Sequence, residues 1–202
     1  MKNSILTILA ITALVACEKK ETVNTDMSAD SSAVAIDSAM PATDSAAVTT
    51  PTTSTPASLT DQDKKFANAA AQGGMMEVML GELAATNASA ASVKSLGAMM
   101  AKDHAKANEE LKSWASTAGY TLPTTMNAEQ QKMYDDLKAK KGTDFDRAYA
   151  DAMVTDHKKD IAAFKKEASD GGETSLKSFA GKTVPTLEHH LMESEKTKAA
   201  VK

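Results

Sequence analysis

One cysteine, Cys17, stands in 202 residues, so neither a disulfide framework nor a cluster of thiolates can organise this chain. Sulfur offered to a metal in the folded part has to come from methionine. Aromatic residues make up only 4% and β-branched runs are sparse, which argues against a sheet held by aromatic and β-branched pairs. No apolar run reaches the roughly 20 residues that a membrane-spanning helix needs. The longest, Ile5 to Val15, stops short. Neither a nucleophile elbow nor a phosphate-cradling glycine loop occurs. A positive excess is missing too: the formal charge is −4, and most of it falls before residue 59. The remainder is close to neutral, which argues against a nucleic-acid partner.

What is present begins with an export signature. Lys2 supplies a positive start, Ile5 to Val15 an apolar stretch, and Leu14-Val15-Ala16-Cys17 follows at once. The last four residues look like a bacterial lipobox, which implies cleavage after residue 16 and lipidation of Cys17. An ordinary signal peptide that happens to contain a cysteine is the other possibility. Residues 17–58 are rich in Ser, Thr, Ala and Pro and cannot bury enough apolar surface to offset the entropy of ordering. They read as a tether with a reach on the order of 35 Å, carrying Glu18, Glu21, Asp26, Asp30, Asp37 and Asp44 against Lys19 and Lys20. Glu18 is not the aspartate that holds some lipoproteins in the inner membrane. The expected location is therefore the cell envelope, lipid-anchored and facing the periplasm, with the outer membrane preferred.

Residues 59–202 are a normal size for one domain, and their Ala, Lys, Glu and Met content favours helix. Thr60 is a good N-cap, with Asp61 and Asp63 where the helix dipole favours negative charge. Phe66, Ala70, Gly73, Glu77, Leu80 and Ala84 then recur at spacings of four and three. Gly73-Gly74 in mid-helix suggests a bend or a close neighbour. A second helix, from about Ser89 to Ala118, carries Val93, Leu96, Met100, His104, Ala107, Leu111 and Trp114 on one face, and Gly119 ends it. A short helix follows Asn127. A third long helix, from near Asp144 to about Ser169, has Phe145, Tyr149, Met153, His157, Ile161, Phe164 and Ala168 in line. A fourth, from about Glu173, aligns Leu176, Ala180, Thr183, Leu187, His190 and Ser194. Pro185 should interrupt it near Lys182, and the polar residues after Ser194 should fray. The expected fold class is all-α: four long helices packed up-down-up-down, with one extra short helix between the second and third.

The strongest internal signal is a duplication. Met100-Ala101-Lys102-Asp103-His104 returns as Met153-Val154-Thr155-Asp156-His157, and the same offset carries Leu96 onto Tyr149 and Leu111 onto Phe164. Only four histidines occur in the chain. Two lie in these motifs and two are adjacent, His189 and His190. Counting 1.5 Å per residue brings His104, His157 and His190 to one layer, while Glu77 comes out one to two turns lower. On a helix Asp103 is turned about 100° from His104, toward a neighbouring helix where it can orient an imidazole or join a ligand set.

Phe66-x-x-x-Ala70, Gly74-x-x-Glu77, Leu80-Gly81-x-Leu83-Ala84, the two Met-x-x-Asp-His motifs and Pro185-x-Leu187-x-x-His190-Leu191 together resemble the DUF4142 domain family of exported bacterial proteins. That resemblance implies a ferritin-like four-helix fold and an envelope location more than an activity. The chain lacks the Glu-x-x-His pairs of ferritin-like di-metal proteins, so oxidase and iron-storage activities do not carry over.

Two roles follow for the layer. In one, His104, His157 and His190 bind a transition metal, Zn, Fe or Cu, with Glu77, Asp103 or Asp156 completing or orienting the set. Met75, Met76, Met79, Met100, Met153 and Met192 then either add thioethers or simply fill the core. In the other, the layer is a metal-free hydrogen-bonded network in a structural or envelope-stress module. Catalysis by the Asp-His pairs would need a cleft that a narrow bundle does not offer.

Overall fold

The computed structural model describes residues 58–202. Cys17, the export signal and the tether lie outside the described residues. Five helices and no strand occur within them: α1 Asp61–Asn87, α2 Ala91–Ala118, α3 Ala128–Lys138, α4 Gly142–Asp170 and α5 Thr174–Ala200. No helix here is long and apolar enough to cross a membrane.

Side chains close several of the helix ends. Thr60 caps α1 by accepting from the Asp63 amide at 3.1 Å, while the Asp63 carboxylate accepts from the Thr60 amide at 2.7 Å. Asp63 also accepts from the amides of Gly172 and Glu173, so the start of α1 is tied to the turn between α4 and α5. Burial opposes its charge, but these hydrogen bonds prevail and hold its pKa at about 2. Ala90 offers α2 no cap. Instead Asp146, from α4, accepts from the amides of Ser89 and Ala90 at 3.1 and 2.9 Å, closing in three dimensions what the local sequence leaves open. Gly119 ends α2 in the left-handed region at φ 63°.

Helix α1 packs along α2 and α4 along α5, while α2 meets α5, α1 meets α4, and α3 lies against α1 and α4. The first pair is brought close by Gly81 and Gly97. A Cβ on Gly81 would stand 2.4 Å from the Gly97 carbonyl, and one on Gly97 would stand 2.5 Å from the Ala84 Cβ. At Gly74 the close neighbour is the Asn108 side chain, whereas Gly73 has nothing nearer than 3.9 Å.

Two features of α5 differ from expectation. The helix runs unbroken through Pro185, because α4 supports it on both sides: Phe164 meets Phe179 before the proline and His157 meets His190 after it. The residues after Ser194 stay helical to Ala200, since Ser194 and Thr197 are buried.

The apolar interior is in two parts. Phe66, Leu111, Trp114, Phe164, Leu176, Phe179 and Leu187 form one cluster. Met76, Leu80, Leu96, Met100, Phe145, Tyr149 and Met153 form the other. Along α2 and α4 the histidines fall between them, which leaves a polar layer enclosed by hydrocarbon at both ends.

Candidate metal centre

His104 follows Met100 by one turn on α2, and His157 follows Met153 by one turn on α4; α5 adds His190. Their exposures are 7, 0 and 1%. The ring centroids lie 5.3 to 5.6 Å apart, a nearly equilateral triangle, and one ring nitrogen of each lies within 4.8 Å of the others. His189 is exposed on the outside of the same turn. The duplicated motif and α5 thus deliver three imidazoles to one point.

Glu77 of α1 is fully buried in the same layer, one to two turns higher than counting along the helices places it. Its Oε2 lies 2.8 Å from His104 Nε2 and its Oε1 3.3 Å from His157 Nδ1. Yet both carboxylate oxygens and His104 Nε2 lack an aligned hydrogen-bond partner. The atoms are close, but no N–H points along the line between them.

Outer acceptors fix the tautomers of the other two rings. His157 Nδ1–H donates to the Met153 carbonyl at 3.0 Å, and His190 Nε2–H donates to Asp103 Oδ2 at 3.0 Å. A neutral imidazole carries one proton, so the inner nitrogens, His157 Nε2 and His190 Nδ1, are both left as lone pairs. They face each other at 3.3 Å. Two acceptors at that distance need a cation or an extra proton between them. Asp103, whose side chain is 34% exposed, stands outside the ring set and orients His190, as carboxylates commonly do behind a ligating histidine.

Electrostatics agree with an uncharged histidine layer. Burial drives the His104 pKa down to about 4, and burial likewise lowers His157 and His190 despite Glu77 and Asp103 beside them. The same burial pushes Glu77 up to about 8, against the pull of His157. Neutral imidazoles are the form that binds metal.

Asp156 departs from expectation. It does not enter the histidine triangle; half-buried, it groups with Glu77 and with Asp160, one turn further along α4. Asp160 is not evident in the sequence, because a lone acid among Lys158, Lys159 and Lys165 reads as part of a solvated face; its four-residue spacing from Asp156 is the one signal. Nor is Tyr149 evident as a polar group. Its buried hydroxyl lacks a partner, and burial together with the Glu77 charge raises its pKa. The methionines disperse: Met76, Met100 and Met153 pack in the apolar cluster, while Met192 is exposed.

The sequence profile described as "Domain of unknown function (DUF4142)" matches residues 48–197. Among solved structures, a crystal structure of a DUF305 fragment from Deinococcus radiodurans is similar, with a TM-score of 0.62 at 13% identity, over 70% of this chain and 98% of that one. At that identity the likeness concerns the fold. No curated protein matches the chain.

Proposed function

The chain belongs to the DUF4142 domain family, and from that premise we propose that it is a transition-metal-binding domain held in the cell envelope by a lipid on Cys17. Its fold in this reading is a ferritin-like, up-down-up-down four-helix bundle, residues 59–202, following an export signal over 1–16 and a tether over 17–58. His104, His157 and His190 are the ligands, Glu77 stands beside them with Oε2 2.8 Å from His104 Nε2, and Asp103 orients His190.

The observation that carries the metal reading is the 3.3 Å approach of His157 Nε2 to His190 Nδ1, with the other nitrogen of each ring facing an acceptor on the outside. Two nitrogens bound tetrahedrally at about 2.0 to 2.1 Å lie roughly 3.3 Å apart. The unpartnered His104 Nε2 supplies a third nitrogen, and the buried Glu77 beside it supplies negative charge. Three imidazoles and one carboxylate suit Zn²⁺ and Cu²⁺, with iron accommodated less closely.

The test is thermal unfolding of the untagged full chain with Zn²⁺, with Cu²⁺ and with a chelator. Because the ligand set exists only in the folded state, added metal raises the midpoint and chelator returns it. His104→Ala and His157→Ala remove the shift. Asp103→Asn weakens binding by about 10- to 100-fold without abolishing it. A wild-type midpoint indifferent to both metals and to chelator leaves the metal-free network as the correct account.

A further inference from the structure

The duplicated motif meets different partners in its two settings. On α2, Asp103 reaches an imidazole, His190 of α5. On α4, the equivalent Asp156 meets a carboxylate, Glu77 of α1, and Asp160 joins from one turn further along. Oxygens of the three acids all lie within 4.8 Å of one another.

An imidazole facing a carboxylate is already complementary. Three carboxyl groups facing one another are not: all ionised they would repel strongly, so they need protons or a cation among them. Lys159 lies near enough to favour the charged forms of both aspartates, but Lys158 and Lys165 are drawn to Glu195 and Glu188 at 3.0 and 2.7 Å, and among the described residues no ammonium group comes within ion-pair distance of Asp156 or Asp160. Glu77 is fully buried with both oxygens unpartnered and one of them within this group.

We infer that Glu77, Asp156 and Asp160 form a second cation site, for a hard divalent ion of the Mn²⁺ or Ca²⁺ kind, beside the three histidines and sharing Glu77 with them. The all-oxygen donor set selects against Zn²⁺ and Cu²⁺ and in favour of Mg²⁺, Ca²⁺ or Mn²⁺. Ligands about 2.3 to 2.6 Å from a calcium ion can stand up to about 5 Å apart, a limit that the three acids meet. Glu77 has one oxygen toward His104 and the other toward His157, and its two oxygens allow it to bridge neighbouring ions. The shared role of Glu77 rests on the histidine reading above; the two aspartates do not.

Paramagnetic Mn²⁺ provides the probe. The untagged full chain is titrated with Mn²⁺, with and without saturating Zn²⁺, and free Mn²⁺ is followed by electron paramagnetic resonance while bound zinc is measured by elemental analysis. The expected result is one Mn²⁺ per chain with zinc present. Asp156→Asn combined with Asp160→Asn should weaken Mn²⁺ binding by more than about tenfold and leave the zinc content unchanged. Wild-type manganese binding in that variant, or no Mn²⁺ bound by the zinc-loaded wild type, overturns the inference. Zinc content that is absent while aspartate-dependent Mn²⁺ binding persists would instead sink the histidine reading and leave this site standing. The metal-free variant should also unfold no earlier than the wild type, since repulsion is relieved; lost helix content would show the aspartates to be structural and overturn the site.

Discussion

Glu77 and the histidines respond to burial in opposite senses, and the difference gives the metal-free protein a distinctive dependence on pH. An unfolded glutamate titrates near 4.3, whereas Glu77 in the fold holds its proton to about 8. Its contribution is greatest below the unfolded value and is lost as pH rises toward 8. His104, lowered to about 4, contributes stability that is present above about 6.5 and lost as pH falls through 4. His157 and His190 act in the same direction as His104. The two trends offset each other between about 4.5 and 6.5. Glu167, pushed to about 7 mainly by burial, adds to the decline up to that pH. Above it the histidine contributions are complete, and Glu77 with the raised aspartates beside it keeps lowering stability. Denaturant unfolding in chelator should show a loss on the order of 1 kcal/mol from pH 7 to 8, and Glu77→Gln should flatten it. A stability that rises over this window would contradict the assignment of a protonated Glu77. The histidines were legible in the sequence because the motif repeats and histidine is scarce. The height of Glu77 was not, because counting from helix ends carries an uncertainty of a turn wherever caps and turns are unknown.

The helices themselves were legible to within a few residues, since caps such as Thr60 and Asn127 and breakers such as Gly119 act locally. What was not legible depends on partners distant in the chain. The cap of α2 comes from Asp146 on α4, and the continuity of α5 through Pro185 depends on α4 lying along it. Glycines show the same division. Gly81 and Gly97 look like any helical glycine in sequence, yet each is where the α1 and α2 backbones meet. Gly81→Ala should therefore destabilise by about 1–3 kcal/mol through overpacking. Gly73→Ala, with nothing closer than 3.9 Å, should stabilise by up to about 1 kcal/mol through helix propensity alone. Thermal unfolding of the two variants side by side checks the pair. Equal effects of the same sign would mean that the close approach of α1 to α2 is wrong.

For the whole molecule, the proposed function has a lipid on Cys17 ahead of a domain that encloses a polar layer. Cys17→Ser should move the protein from the membrane fraction to the soluble fraction of the periplasm, read by fractionation and immunoblotting. A variant that stays with membranes would remove the lipid from the account. The central claim is that imidazoles from α2, α4 and α5, beside the α1 carboxyl group, hold one transition-metal ion. Elemental analysis of the untagged full chain, equilibrated with Zn²⁺ and then dialysed, tests it most directly. The account predicts one zinc per chain, lost in His157→Ala and retained in Asp156→Asn. A zinc-free wild type, or zinc that survives His157→Ala at full occupancy, would contradict it.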